Sequence, residues 1–209
     1  MIRAWLLILL WIPLAAVILL LASADWVKAQ LERERQMVSS YLGPESAGEL
    51  YARSISLYKA IAVNSGAVDV TYRWTSPWRP APTHDAGSVG VGHTLSAWMD
   101  GRIEVFWRLV YQGIYRLVHL SLWLPYLSIF LFAALADGLV QRAIKKVSIG
   151  GYASPIRYNA GFHALFALLA APLIYLSVPL SVPPISVPIW AVLACVSLVV
   201  YAANIQKRI

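Results

Sequence analysis

Charged side chains are missing from three stretches, Ala4–Ala24, Leu117–Ala136 and Tyr158–Gln206, and are frequent between the first two. A hydrocarbon core of ~30 Å is crossed by ~20 apolar residues in a helix, so each of the first two stretches holds one span. The third has room for two and is interrupted by Pro179, Pro183, Pro184 and Pro188, residues that lack the backbone donor a helix needs. The pattern predicts four transmembrane helices, at 4–24, 117–140, 160–179 and 188–205. Between the last two, "SVPLSVPPISVP" repeats Ser-Val-Pro from Ser177, Ser181 and Ser186 and reads as a stiff outward turn of doubtful functional weight.

The segment between the first two spans has a different period. Val27, Leu31, Val38, Tyr41 and Leu42 recur near helical spacing among charged neighbours, which predicts an amphipathic helix ended by Gly43-Pro44. A second helix is expected from Glu45 to Ala62, with Leu50, Leu57, Tyr58 and Ile61 on one side and Asn64-Ser65-Gly66 as its stop. "VDVTYRW" alternates apolar and polar positions, a short strand signal, and "TSPWRPAPTHDAGSVGVG" is rich in Pro, Gly and Ser, hence loop. From Thr94 the pattern is helical again and runs on into the second span, where Pro125 is expected to kink it. Along this lead-in Arg108, Gln112, Arg116 and His119 make one polar stripe. It is expected to rest against lipid headgroups, the alternative being another subunit.

Composition agrees with a bilayer. The 209 residues are 59% hydrophobic and 13% charged, with mean hydropathy +0.64, whereas soluble domains carry about 25% charged residues. The fold class expected is an all-α integral membrane protein of about four transmembrane helices. Its organisation is an N-terminal anchor at 1–25, a mostly helical periplasmic or interfacial region at 26–105, and a membrane domain at 106–209 with three spans and a basic loop at 141–158.

The net charge of +7 invites a nucleic-acid reading until the charges are sorted along the chain. Residues 25–116 hold ten bases and nine acids; the surplus is Arg3, Arg142, Lys145, Lys146, Arg157, Lys207 and Arg208 against the single acid Asp137. Bases beside span ends resist translocation and set orientation. The N-terminus, the 141–158 loop and the C-terminus are therefore expected on the cytoplasmic side of a bacterial inner membrane, with 25–116 outside. Topology accounts for the basicity, and direct nucleic-acid contact is not expected. Arg3, the Leu-rich run and the small residues Ala22 and Ala24 also fit a cleaved secretory signal. The run is long for a signal's core, and Trp5 and Trp26 bracket it as interfacial anchors, so a retained span is the favoured reading.

Chemistry is sparse. His84, His93, His119 and His163 have no partner at ligand spacing, "GSVGVG" from Gly87 lacks the Lys-Ser/Thr ending of a phosphate loop, and Cys195 lies in an apolar helix. No catalytic, cofactor-binding or metal-binding residues are expected, nor enzymatic activity. Asp137 is the one acid at a span, and acids there often mark ion paths. Its place near the cytoplasmic edge, about one turn from Arg142, favours a local counter-charge over a role in a small transporter or channel.

The segment "ALADGLVQRAIKKVSIGGYASP", Ala134 to Pro155, resembles a signature of integrating-conjugative-element membrane proteins. In those, an Asp-Gly-Leu-Val-x-Arg-x-Ile run leaves a span and a basic Gly-Tyr or Gly-Ser loop follows. Asp137, Gly138, Leu139, Val140, Arg142, Ile144, Gly151 and Tyr152 match here. The order of anchor, outward region and C-terminal spans is also similar. The resemblance implies a place in a conjugative DNA-transfer, type IV secretion gene cluster and brings no catalytic residues with it. The expectation built on it is an accessory inner-membrane subunit whose partners are other membrane subunits of the machinery, with the coupling ATPase as one candidate. The candidate partner-contact or topology residues are Asp137, Gly138, Arg142, Lys145, Lys146, Gly151, Tyr152 and Arg157. An exclusion factor that blocks redundant transfer into a recipient is the alternative.

Overall fold

The computed structural model describes residues 16–75, 91–148 and 154–205. All regular structure among them is helical: α1 Ala24–Leu42, α2 Pro44–Tyr58 with a π-helical turn Lys59–Val63, α3 Ala67–Thr75, α4 Val91–Val147, α5 Pro155–Ser177 and α6 Ser186–Ala203. Of the predicted first span only the end, helical at 16–21, is among the described residues; of the predicted loop at 75–92, Thr75, Val91 and Gly92 are helical and 76–90 lie outside them, as do Gly151 and Tyr152. Three helical segments are long and apolar enough to cross a membrane: Leu95–Val147, Pro155–Ser177 and Ser186–Ala203. They indicate membrane localisation. Two compact units are distinguished, Met1–Val118 with Ser177–Ser181, and His119–Leu176 with Val182–Ile209.

In the first unit, Ser23 starts α1 by accepting the Trp26 N–H at its Oγ, 3.2 Å away, and Asp25 favours the positive end of the helix dipole. Gly43 ends the helix at φ 83, a left-handed value that costs glycine little, and Pro44 opens α2 at once. The buried face of α1 is Val27, Gln30, Leu31, Glu34 and Val38, so the apolar stripe carries two polar residues inward; Tyr41, expected on it, is exposed. Asn64 N–H bonds the Lys59 carbonyl at 2.8 Å, which closes the wide turn after α2. Gly66 then takes φ 74, and Ser65 Oγ accepts the Ala67 N–H at 3.3 Å.

The stretch "VDVTYRW" is helix α3, not a strand. Seven residues are too few for alternation to outweigh a start signal on one side and a tertiary bond on the other: Trp107 Nε1 on α4 donates to Thr71 Oγ1 at 3.0 Å. Arg102 of α4 donates from Nη1 to the carbonyls of Leu19, Leu20 and Ala22. It thereby satisfies the acceptors that the end of the 16–21 helix leaves open.

The second unit packs Leu127, Val187 and Ala191 together with Leu120, Trp123 and Trp190. Trp190 Nε1 donates to the Leu168 carbonyl at 2.6 Å. Two glycines set the helix spacing. A Cβ on Gly138 of α4 would meet Ala202 Cβ at 2.7 Å, and one on Gly161 of α5 would meet Tyr201 N at 2.8 Å. Close backbone approach at small residues is the ordinary means of packing helices in lipid, where no hydrophobic drive separates one apolar surface from another.

Candidate functional site: a buried charge cluster and a basic helix end

Four polar residues converge in the first unit. Arg116 Nε and Nη2 donate to Glu34 Oε1 and Oε2 at 2.8 and 2.7 Å, a bidentate pair, and Gln112 Nε2 adds a third bond to Oε2 at 3.1 Å. The same guanidinium donates to the carbonyls of Val178 and Leu180, and Ser181 N–H donates to Gln30 Oε1 at 3.2 Å. Side-chain exposure is 0% for Arg116 and 1% for Glu34. A buried ion pair is tolerated only when further hydrogen bonds fill the remaining donors and acceptors, and this one meets the condition. Prolines at 179, 183 and 184 leave this turn with carbonyls to satisfy and fewer donors of its own; Arg116 supplies donors to two of them.

The polar stripe of α4 is thus turned into the protein, which corrects the headgroup expectation: Gln112, Arg116 and His119 are buried. Arg108 alone is partly open; it donates to Glu104 and to the Ala24 carbonyl at 3.1 Å. His119, in the second unit, accepts Trp123 Nε1–H at its Nε2, 3.2 Å away. An indole nitrogen is donor only, so a neutral His119 carries its proton on Nδ1, 3.0 Å from Tyr175 Oη. The Ser-Val-Pro segment is a turn, as expected, but it also holds acceptors of Arg116, the most buried cation among the described residues.

At the signature segment the candidate residues divide. Asp137 accepts Gln141 Nε2–H at 2.9 Å, and among the described residues no ion pair joins it to Arg142. Its local partner is thus Gln141 and not Arg142, since on a helix i and i+4 face each other better than i and i+5. Arg142 Nε is buried without a hydrogen-bond partner among the described residues. Lys145 Nζ turns inward and donates to the Ala203 carbonyl at 3.3 Å and Asn204 Oδ1 at 3.1 Å, so it caps the negative end of α6. Asn204 Oδ1 also takes the Ser154 N–H at 3.4 Å, and its Nδ2 donates to the Val200 carbonyl at 2.8 Å. Gly138 is a packing residue. Lys146 and Arg157 are left exposed.

A cleft of about 280 Å³ opens between α1, α2, α3 and α4, lined by Leu31, Tyr58, Val68, Tyr72, Trp107 and Tyr111 with Glu104 and Arg108. Tyr58 meets Trp107 and Tyr111 edge to face, centroids 6.4 and 5.5 Å apart. Burial, and secondarily Tyr72, push the Tyr58 hydroxyl above the ordinary tyrosine value. Burial would lower the Arg35 guanidinium, but the Tyr111 hydroxyl it bonds at 3.0 Å and the neighbouring Glu32 raise it on balance. Among the described residues no three His, Cys, Asp or Glu side chains converge to hold a metal ion.

Sequence reasoning missed Gln30 and Glu34. The signal was present, since both fall on the Val27–Leu31–Val38 face at helical spacing, and a carboxylate on such a face requires a buried cation.

An all-helical membrane protein whose polar side chains bind its own backbone and turns is the class that these features define. The chain belongs to the DtrJ-like family of IncC plasmid conjugative DNA transfer proteins, matched over residues 21–206. Conjugative transfer is therefore shared ground with the signature resemblance, although the family description names a plasmid rather than an integrating element. No curated protein and no solved structure matches the chain.

Proposed function

We propose that the protein is a non-enzymatic, multi-pass accessory subunit of a conjugative type IV secretion apparatus in the bacterial inner membrane, with the coupling ATPase as a candidate partner. The observation that carries the reading is family membership over nearly the whole chain combined with three helices apolar enough to cross a membrane. Lys145, Lys146 and Arg157 beside the helix ends support a cytoplasmic side for those ends, because bases there resist translocation.

Among the described residues of the 141–158 segment, Lys146 and Arg157 are the exposed bases that can meet an acidic surface of a partner, since Lys145 is engaged within the chain. The test is K146Q/R157Q in donor cells, with orientation checked by reporter fusions. The expected result is reduced transfer at unchanged orientation; native transfer at unchanged orientation removes the acidic-partner reading. Expression in recipients alone should leave their uptake unchanged, and a fall in uptake would replace the apparatus reading with exclusion.

A further inference from the structure

The signature acid stands on an apolar outer face of α4. Phe130, Ala133, Asp137, Val140 and Ile144 recur at alternating spacings of three and four residues, which puts them on one side of the helix. All five are exposed, with Phe130 at 64%, Val140 at 56% and Ile144 at 58%. The depth of Asp137 is marked by its neighbour: Gly138 rests on Val199 and Ala202 of α6, and α6 ends at Ala203. The carboxylate therefore sits about one turn, ~5 Å, inside the end of a membrane-crossing helix. Gln141 supplies one neutral hydrogen bond, and Asp137 is the only acid after Glu104.

A carboxylate on a lipid-facing surface is costly, and such residues pair with other groups rather than face hydrocarbon. We infer that this face of α4 docks a transmembrane helix of a different subunit of the transfer apparatus, one that presents a lysine or arginine to Asp137. A second copy of the chain fits poorly. Twofold pairing through this stripe sets the same surface against itself and brings two Asp137 carboxylates together, and an antiparallel copy would violate the charge rule for orientation. A single polar position within an apolar seam also fixes helix register, so Asp137 would specify which partner docks and at what height. The inference rests on the apparatus-subunit reading and names that partner's chemistry.

The experiment uses the full chain in donor cells carrying the complete transfer system, with a photo-crosslinking residue at Ala133 and, as control, at Leu139 on another side of α4. Transfer is measured for native, deleted, D137N and D137K chains. Deletion should abolish transfer. D137K should lower it by about tenfold or more, the factor for ~1.4 kcal/mol of lost association, with D137N intermediate. The Ala133 adduct should map to a membrane helix of another transfer protein bearing a base, and replacing that base with Asp should restore D137K. Native transfer after deletion sinks the subunit reading and this inference with it. If deletion abolishes transfer while D137N and D137K stay native, or the Ala133 adduct is a second copy or absent, the docking face alone is refuted.

Discussion

The Glu34 carboxylate receives two hydrogen bonds from the Arg116 guanidinium, across 82 residues of sequence, with both side chains closed off from solvent. Their partnership extends to a third element, because Arg116 also holds the carbonyls of Val178 and Leu180. One ion pair therefore joins α1, α4 and the turn that precedes α6.

Removing one partner should be worse than removing both. Glu34→Ala leaves a buried, uncompensated cation and should cost about 3–5 kcal/mol. The double variant E34L/R116M should recover part of that loss, and the shortfall should report the two turn carbonyls left without donors. Unfolding in detergent, followed by circular dichroism, measures both; a double variant less stable than E34A would contradict the account.

Gly138→Ala should destabilise by roughly 1–3 kcal/mol, as inserting a methyl group into a packed contact does. The closest clash is with Ala202 Cβ, and Val199 O and Cα also crowd the site at 3.1 and 3.2 Å, so A202G combined with G138A should restore only part of the loss. Melting temperature and protease resistance are the readouts.

Lys145 and Lys146 should separate by phenotype. Lys145→Gln removes a cationic cap from the end of α6 and should lower stability by about 0.5–2 kcal/mol. Lys146→Gln should leave the melting temperature within error. Equal effects of the two on stability would show that the cap contributes nothing.

Alkaline pH should weaken the aromatic cleft. The Tyr58 hydroxyl titrates above its ordinary 10.0 in the folded chain. The folded state thus holds this proton more tightly than the unfolded one, and the associated stability is complete below pH 10.0 and lost as pH rises through the folded value. Tyr58→Phe should flatten that part of the stability profile, measured as melting temperature against pH.

The long apolar runs made the membrane helices legible, because a run without charges has few other uses in a chain this poor in polar surface. The α1 and α2 boundaries were legible for a local reason: Gly43-Pro44 stops one helix and starts the next. The buried cluster was harder. The polar stripe of α4 was visible, but whether it faced lipid or protein depended on Glu34 and on carbonyls of a turn more than sixty residues away. Carbonyl acceptors leave no trace in a sequence, since every residue has one. Asp137 stood out as a lone acid but its bond to Gln141 was not read, and α3 was misread because its fixing bond comes from Trp107.

Asn204 fastens three pieces of chain with one amide: Lys145 at the end of α4, Ser154 at the start of α5, and Val200 within α6 itself. No other side-chain chemistry reproduces it, since a carboxylate would lose the bond to Val200 and an aliphatic group would lose all three. A stop codon that removes this residue would unbuckle two helix ends together.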